Sequence, residues 1–249
     1  MTELSRLEAL TSCESTQDEL WRRWDELGER APEALYTLDQ RSGRGRLGRR
    51  WLAPAGACLC LSWRAPAAEL APNELWALSF VGGLALAELT RSLGAPCQLK
   101  WPNDLLWRGR KLAGVLCEAR LPASSALSTA QAPPRVVMGI GLNLRPLPGR
   151  FEGSVSLEER LNSLAPLPDP LSLSEALLSQ LRAASELLAR QGSEALIEAW
   201  RRDSLPAGTR LRTAGIEGSL RRVTAQGSLL LDTPEGVVSI ESGEAELIK

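Results

Sequence analysis

Leu99-Lys100-Trp101-Pro102-Asn103-Asp104-Leu105, and after it Arg110-Lys111-Leu112-Ala113-Gly114, decide how this sequence is read. The chain has 29 basic residues, and only Lys100, Lys111 and Lys249 among them are lysine. A composition this biased puts arginine wherever a bare positive charge suffices. Two lysines retained eleven positions apart point to a need for a compact, rotatable ammonium, as phosphate and carboxylate chemistry often has. A strand over 96–100 is expected to end at Trp101, because Pro102 pushes Trp101 out of the α region and cannot continue a ladder. Strand ends of sheets covered by helices are where ligands sit. Lysine, amide and carboxylate within five residues supply a cation, a hydrogen-bond reader and a carboxylate able to meet Mg2+. The same residues also suit a turn in which Asn103 and Asp104 cap backbone groups.

Upstream, residues 41–50 form a loop with three glycines and five arginines. Gly43-Arg44-Gly45-Arg46-Leu47-Gly48 formally matches the dinucleotide fingerprint, but that motif must open a helix inside a βαβ unit. Here Trp51, Pro54 and then a strand follow, so the dinucleotide reading fails. Two others stand: backbone amides wrapping an anion while arginines neutralise it, or a nucleic-acid contact. Like charges and glycines would leave such a loop mobile until a ligand arrives.

Composition removes whole classes of chemistry. There is no histidine, which excludes histidine acid–base catalysis, histidine-dependent nucleophiles and histidine-ligated metals. The net charge is −1 and the isoelectric point about 5.8, so no global basic field draws the chain to nucleic acid or membrane. Five cysteines without C-x-x-C spacing argue against a zinc cluster, and Cys58 and Cys60 read as small core residues sharing one strand face. No leader is visible, and the apolar run 75–87 is too short to span a bilayer. A reducing, cytoplasmic setting is expected.

Periodicity predicts an α+β chain. Helices are expected over 15–27, from an Asn73 cap to about residue 93, from Ser172 with Glu175 completing a capping box, and separately over 193–200. Leu173, Leu177, Leu181, Ala184 and Leu188 make one buried stripe. Strands are expected over 34–38, 57–63, 96–100, 112–119 and 135–142, with loops at 121–134 and 145–153. Beyond Pro206 short alternating runs punctuated by glycine predict a small β-barrel. The expected domains are 1–204 and 205–249.

The blocks Gly43-Arg44-Gly45-Arg46 with Gly48-Arg49 and Trp51, Lys100-Trp101-Pro102-Asn103-Asp104, Lys111-Leu112-Ala113-Gly114 with Glu118, and Gly139-Ile140-Gly141-Leu142-Asn143 come in the order and spacing of one family. They resemble the biotin protein ligases, and the likeness covers essentially the whole chain. It implies a mixed-sheet catalytic domain with packed helices, followed by an SH3-like barrel. It implies biotin and ATP as substrates with Mg2+, biotinyl-5'-adenylate as intermediate, and a lysine of a biotin carboxyl carrier protein as acceptor. No nucleic-acid or membrane partner is implied, and a homodimer is compatible with it.

Residue by residue, the resemblance implies that Ser15, Thr16 and Gln40 hold the ureido ring, with Arg44, Gly45, Lys111 and Gly114 around the rest of biotin. Lys111, Arg46 and Lys100 would be catalytic, Lys111 touching carboxylate and α-phosphate oxygens. Arg46, Trp51, Asn103 and Asn143 would meet the nucleotide, both asparagines at the adenine edge, and Asp104 would help hold Mg2+. Two departures stand out. Ser15 lies too near the start for the helix-turn-helix that some members carry, so no repressor activity is expected. The tryptophan that covers the adenine elsewhere is absent, leaving Phe151 as the aromatic in that loop. The alternatives are a lipoate–protein ligase, which lacks the Lys100–Asp104 block and carries a glycine triplet near Gly43, a nucleic-acid-binding regulator, and an inactive biotin-binding module.

Overall fold

The computed structural model describes residues 7–122, 132–147, 153–162 and 165–248. In chain order the elements are β1 (Leu7–Leu10), α1 (Thr16–Leu27), β2 (Ala34–Thr37), β3 (Cys58–Ala65), α2 (Ala77–Ser92), β4 (Gln98–Lys100), β5 (Asp104–Trp107), β6 (Arg110–Arg120) and β7 (Arg135–Asn143). There follow α3 (Leu157–Leu161), α4 (Pro170–Arg201), β8 (Arg210–Thr213), β9 (Ile216–Val223), β10 (Leu229–Thr233), β11 (Gly236–Ile240) and β12 (Glu246–Leu247). The first seven strands make one sheet in the order β1-β2-β3-β7-β6-β5-β4, antiparallel except for the β1–β2 pair. The last five make an antiparallel sheet, β11-β10-β9-β8-β12, of the SH3-like kind. The expected α+β class with a small C-terminal β unit is what the chain adopts.

Strand alternation divides the two faces of the large sheet. Leu59, Leu61 and Trp63 of β3 and Val136, Met138, Ile140 and Leu142 of β7 join the main core with α2 and α4. Helix α2 is apolar on nearly every side because it lies between the sheet and α4. A β-carbon on Gly82 would come within 2.7 Å of Val115, and one on Gly83 within 2.9 Å of the Trp200 indole, so these glycines let α2 approach both neighbours. Burying a leucine such as Leu78, Leu86 or Leu89 contributes roughly 1.5–3 kcal/mol. Leu35 and Val137 point to the opposite face, under Leu20 and Trp21 of α1.

Several boundaries differ from expectation. Asn73 sits in a 3-10 turn, Pro72–Glu74, and α2 starts at Ala77. The long helix is capped by Asp169, whose carboxylate accepts from Ser172 N at 3.0 Å, one turn before the expected Ser172 start. The separate helix over 193–200 is the second half of α4, broken at Gly192 with φ 78°. Strands β1 and β5 and helix α3 were not foreseen, being four or five residues long with too little periodicity to register. The expected stripe from Leu173 to Leu188 is buried throughout.

The chain leaves α4 along the free edge of β4, where Leu99 N donates to Asp203 O and Leu205 N to Leu99 O, and then enters the second sheet. That sheet stays attached. Trp101 Nε1 donates to Gly227 O at 2.8 Å, and Arg201 Nε to Val223 O at 2.8 Å. No described helix is long and apolar enough to cross a membrane.

Candidate active site

On the α1 face, three glycines hollow out the sheet. Gly114 of β6 lies opposite Gly141 of β7, and Leu116 opposite Gly139. No side chain rises from β7 at 139 or 141, and a cavity of about 110 Å³ opens there. Its near walls press hard on the glycines. A β-carbon on Gly139 would stand 2.4 Å from Gln17 Oε1, and one on Gly141 2.2 Å from the Trp51 ring. Trp51 Nε1 is buried with no acceptor among the described residues.

One end of the hollow is polar and uncharged. Ser15 caps α1, accepting from Asp18 N at 3.3 Å, which turns Thr16 and Gln17 inward at the helix start. Gln40 Oε1 accepts from Thr16 N at 2.8 Å and from Thr16 Oγ1 at 3.1 Å, and Ser62 Oγ donates to Thr16 Oγ1 at 2.8 Å. Thr16, Gln40 and Ser62 form one connected network, and all five residues, Ser15 and Gln17 included, are buried.

The other end is cationic. Asp104, 8% exposed, lies between the two internal lysines: Oδ1 is 2.6 Å from Lys111 Nζ, and Oδ2 is 2.8 Å from Lys100 Nζ. Burial by itself would raise the Asp104 pKa, but the ammoniums of Lys111 and Lys100 outweigh it and hold the carboxyl below its usual range. Lys111 reaches across the bare face of Gly114, where a β-carbon would stand 3.1 Å from its Cε and Nζ. Its ammonium also lies 5.5 Å from the centre of the Trp51 ring. The Lys111 side chain is 38% exposed and faces the cavity; that of Lys100 is 15% exposed and donates to Ala245 O of the C-terminal sheet at 2.6 Å.

The glycine–arginine loop folds as a short hairpin over this hollow. Trp51 N donates to Gly43 O, Gly45 N to Arg49 O, and Leu47 at the tip is 75% exposed with φ 55°. The expected mutual repulsion does not hold it open, because carboxylates anchor it. Arg44 bonds Asp18 (Nη2 to Oδ1, 2.7 Å) and Glu118 (3.2 Å), and Arg49 pairs with Glu244 of the C-terminal sheet. The Arg44 guanidinium holds the Asp18 carboxyl below the usual range. Arg46 donates to Asn103 Oδ1 at 3.3 Å.

Ten expected site residues line the cavity: Ser15, Thr16, Gln40, Arg44, Gly45, Arg46, Trp51, Asn103, Lys111 and Gly114. Lys100 and Asp104 stand just behind Lys111. Asn143 is placed differently from its expected role. Its Nδ2 donates to Lys111 O at 3.2 Å and Val155 O at 3.1 Å, so its amide protons hold the Lys111 strand and are not free for an adenine edge. Asn103 likewise gives an amide proton to Val115 O at 2.7 Å. Phe151 lies outside the described residues. Sequence reasoning missed Gln17, Gly139 and Glu244 as wall residues; glycine within a strand pattern marks a close approach and could have flagged Gly139. Nothing local flags Glu244. Cys58 and Cys60 are buried and free, and burial pushes the Cys58 thiol up to about 12.

A larger cleft of about 1310 Å³ runs between the start of α2, α4 and the C-terminal sheet and meets the small hollow at Arg46 and Leu116. Among the described residues Arg46 is the one cation along it, and Glu69, Glu74 and Glu241 line it, so the cation-rich lining belongs to the small hollow.

The Biotin/lipoate A/B protein ligase family matches residues 10–130. A biotin–[acetyl-CoA-carboxylase] ligase from Mycobacterium tuberculosis is 33% identical over 220 residues, covering 84% of this chain and 77% of that protein. The bifunctional ligase/repressor BirA of Salmonella typhimurium is 35% identical over 228 residues, covering 86% of this chain; the chain spans 66% of that relative's length. The structure of the biotin protein ligase from Aquifex aeolicus in complex with biotin and ATP superimposes with a TM-score of 0.80 at 27% identity, covering 99% of this chain and 100% of that one.

Proposed function

The chain belongs to the biotin protein ligases of the Biotin/lipoate A/B protein ligase family, and on that premise we propose that it activates biotin with ATP as biotinyl-5'-adenylate and transfers the biotinyl group to a lysine of a biotin carboxyl carrier protein. The observation that carries this reading is the polarity of one small hollow, uncharged hydrogen-bonding groups at the Thr16–Gln40 end and the Lys111 ammonium at the other, with the Asp104–Lys100 pair behind it. A biotin molecule has the same polarity, a neutral ureido ring at one end and a carboxylate at the other. We take the division at 204/205 as that between catalytic and C-terminal domains, and place the enzyme in the cytoplasm.

In the first step a biotin carboxylate oxygen bonds to the α-phosphorus of ATP, the bond from that phosphorus to the bridging oxygen breaks, and pyrophosphate leaves. Two anions must meet, so the step depends on fixed cations more than on a titrating base. Lys111 faces the cavity at the place where carboxylate and phosphate converge, and Arg46 covers it from the hairpin. In the second step a neutral carrier lysine attacks the biotinyl carbonyl. The C–N bond forms, the C–O bond to phosphate breaks, AMP leaves, and the amine's excess proton passes to solvent. The absence of histidine is compatible with both steps. The mixed anhydride hydrolyses in water, which gives the anchored hairpin its purpose. The large cleft that meets the hollow at Arg46 gives a protein substrate its approach.

The family implies Mg2+. Among the described residues no group of three or more carboxylates or cysteines could hold a metal, and both oxygens of Asp104 already face ammoniums. The expected Asp104 ligand role does not fit this geometry. The reading is tested by incubating the protein with biotin, ATP and Mg2+ and scoring pyrophosphate and a biotinyl-adenylate mass, then adding a carrier domain. Adenylate formation from lipoate instead of biotin would transfer the assignment to the lipoate branch.

A further inference from the structure

We propose that Asp104 is a positioning residue that presents Lys111 to the reacting oxygens, and that the Mg2+ of the reaction rides on the nucleotide phosphates. This rests on the ligase reading above. The backbone places Asp104 between the lysines twice over. Lys100 is its direct cross-strand partner in the β4–β5 ladder, and Gly114 is its partner in the β5–β6 ladder. A register shift between Leu105 and Leu106 brings Lys111 three residues from Gly114 yet on the same side, and the missing Gly114 β-carbon lets the lysine lie flat along the strand towards the carboxylate.

The result is a chain of contacts from the C-terminal sheet to the cavity: Ala245 O to Lys100 Nζ at 2.6 Å, Lys100 to Asp104 Oδ2 at 2.8 Å, and Asp104 Oδ1 to Lys111 at 2.6 Å. Each carboxylate oxygen lies within ion-pair distance of one ammonium, Oδ1 making no directed hydrogen bond among the described residues. A divalent ion bound there would stand against both positive charges in a site 8% exposed, where screening is weak. Mg2+ dehydrates reluctantly and is commonly carried by substrate phosphates with several waters kept. The flexible lysine side chain, by contrast, loses its aim without a partner. Asp104 and Lys100 together fix one rotamer of Lys111, and the C-terminal sheet contributes through the Ala245 carbonyl.

The experiment measures initial rates of biotinyl-adenylate formation for wild type, Asp104→Asn and the charge-balanced double variant Lys100→Gln/Asp104→Asn over a wide range of Mg2+. If wild type forms no adenylate, the ligase reading and this inference fall together. With an active wild type, the expected result for Asp104→Asn is a kcat lower by about ten- to a hundredfold, a KM for biotin that does not rise, and half-saturating Mg2+ within about twofold of wild type. The double variant keeps the local charge balanced should the single one fail to fold, and is expected to show the same unshifted Mg2+ midpoint. A midpoint raised about tenfold or more, with the rate restored at high Mg2+, would make Asp104 a metal ligand and overturn the inference. A wild-type rate and midpoint in Asp104→Asn would overturn it as well.

Discussion

The indole of Trp51 lies directly on the backbone of Gly141, so close that a β-carbon there would stand 2.2 Å from the ring. Trp51 closes the hairpin and Gly141 floors the cavity, so the contact registers the lid against the sheet. Gly141→Ala is expected to push Trp51 aside at a cost of about 1–3 kcal/mol, which appears as an affinity for the adenylate lower by about five- to a hundredfold. Equilibrium binding of a non-hydrolysable biotinyl-adenylate analogue checks this, and unaltered affinity would detach Trp51 from the site.

Lys111→Ala is expected to lower adenylate formation by about two to three orders of magnitude, the usual effect of removing one preorganised charge donor. Biotin affinity should fall less, because the Thr16–Gln40 network is untouched. A variant within tenfold of the wild-type rate would remove Lys111 from the catalytic role.

Arg46→Gly should weaken retention of the intermediate more than its formation. Arg46 joins the hairpin to Asn103 by one 3.3 Å bond, whereas Arg44 and Arg49 anchor the same hairpin elsewhere. Released biotinyl-adenylate would then acylate bystander lysines, visible as biotin on an unrelated protein in the same tube. Strict labelling of the carrier alone, at normal rate, would contradict the lid assignment.

Stability should have an acid limb rooted in Asp104. Its carboxyl titrates below the ordinary carboxylate range in the folded chain. It therefore stabilises the fold fully above that range, and the contribution is lost as pH falls through it towards the depressed folded value. Melting temperature measured downwards from neutral pH should drop, and Asp104→Asn should flatten that drop while lowering the plateau. A parallel, undiminished drop in the variant would place the acid-sensitive group elsewhere.

The C-terminal sheet is held by a turn seated between two tryptophans. Gly227 has φ 80°, gives its carbonyl to Trp101 Nε1, and a β-carbon on it would stand 2.4 Å from the Trp76 ring. Gly227→Ala combines positive-φ strain with that collision and should cost about 1–3 kcal/mol. Urea unfolding should show the loss. Unchanged stability would mean that the turn is free to move.

Much of this protein is legible in one dimension. The two lysines in an arginine-rich chain, the strand stop at Pro102 and the glycine–arginine loop each stand out by residue type and near-neighbour spacing, and the resemblance that these blocks carry implied Lys111 and Arg46 as catalytic candidates. The absence of histidine excludes histidine acid–base and histidine-dependent nucleophile chemistry by residue identity alone. The α4 stripe was equally plain, since its residues recur at the helical period.

What lay beyond the sequence is what depends on distant segments meeting. Asp104 reads locally as a turn cap or a metal ligand; only the β4-β5-β6 ladders reveal that both its oxygens face lysines. Asn143 reads as a free amide, and the return of the chain at Val155 takes its protons. Nothing around Glu244 or Ala245 announces a site, because their contacts with Arg49 and Lys100 span most of the chain. Composition and spacing fix which charges a site has available. Strand register decides which of those charges satisfy one another and which remain for a ligand, because a carboxylate has only two oxygens and whichever groups the fold brings nearest will hold them.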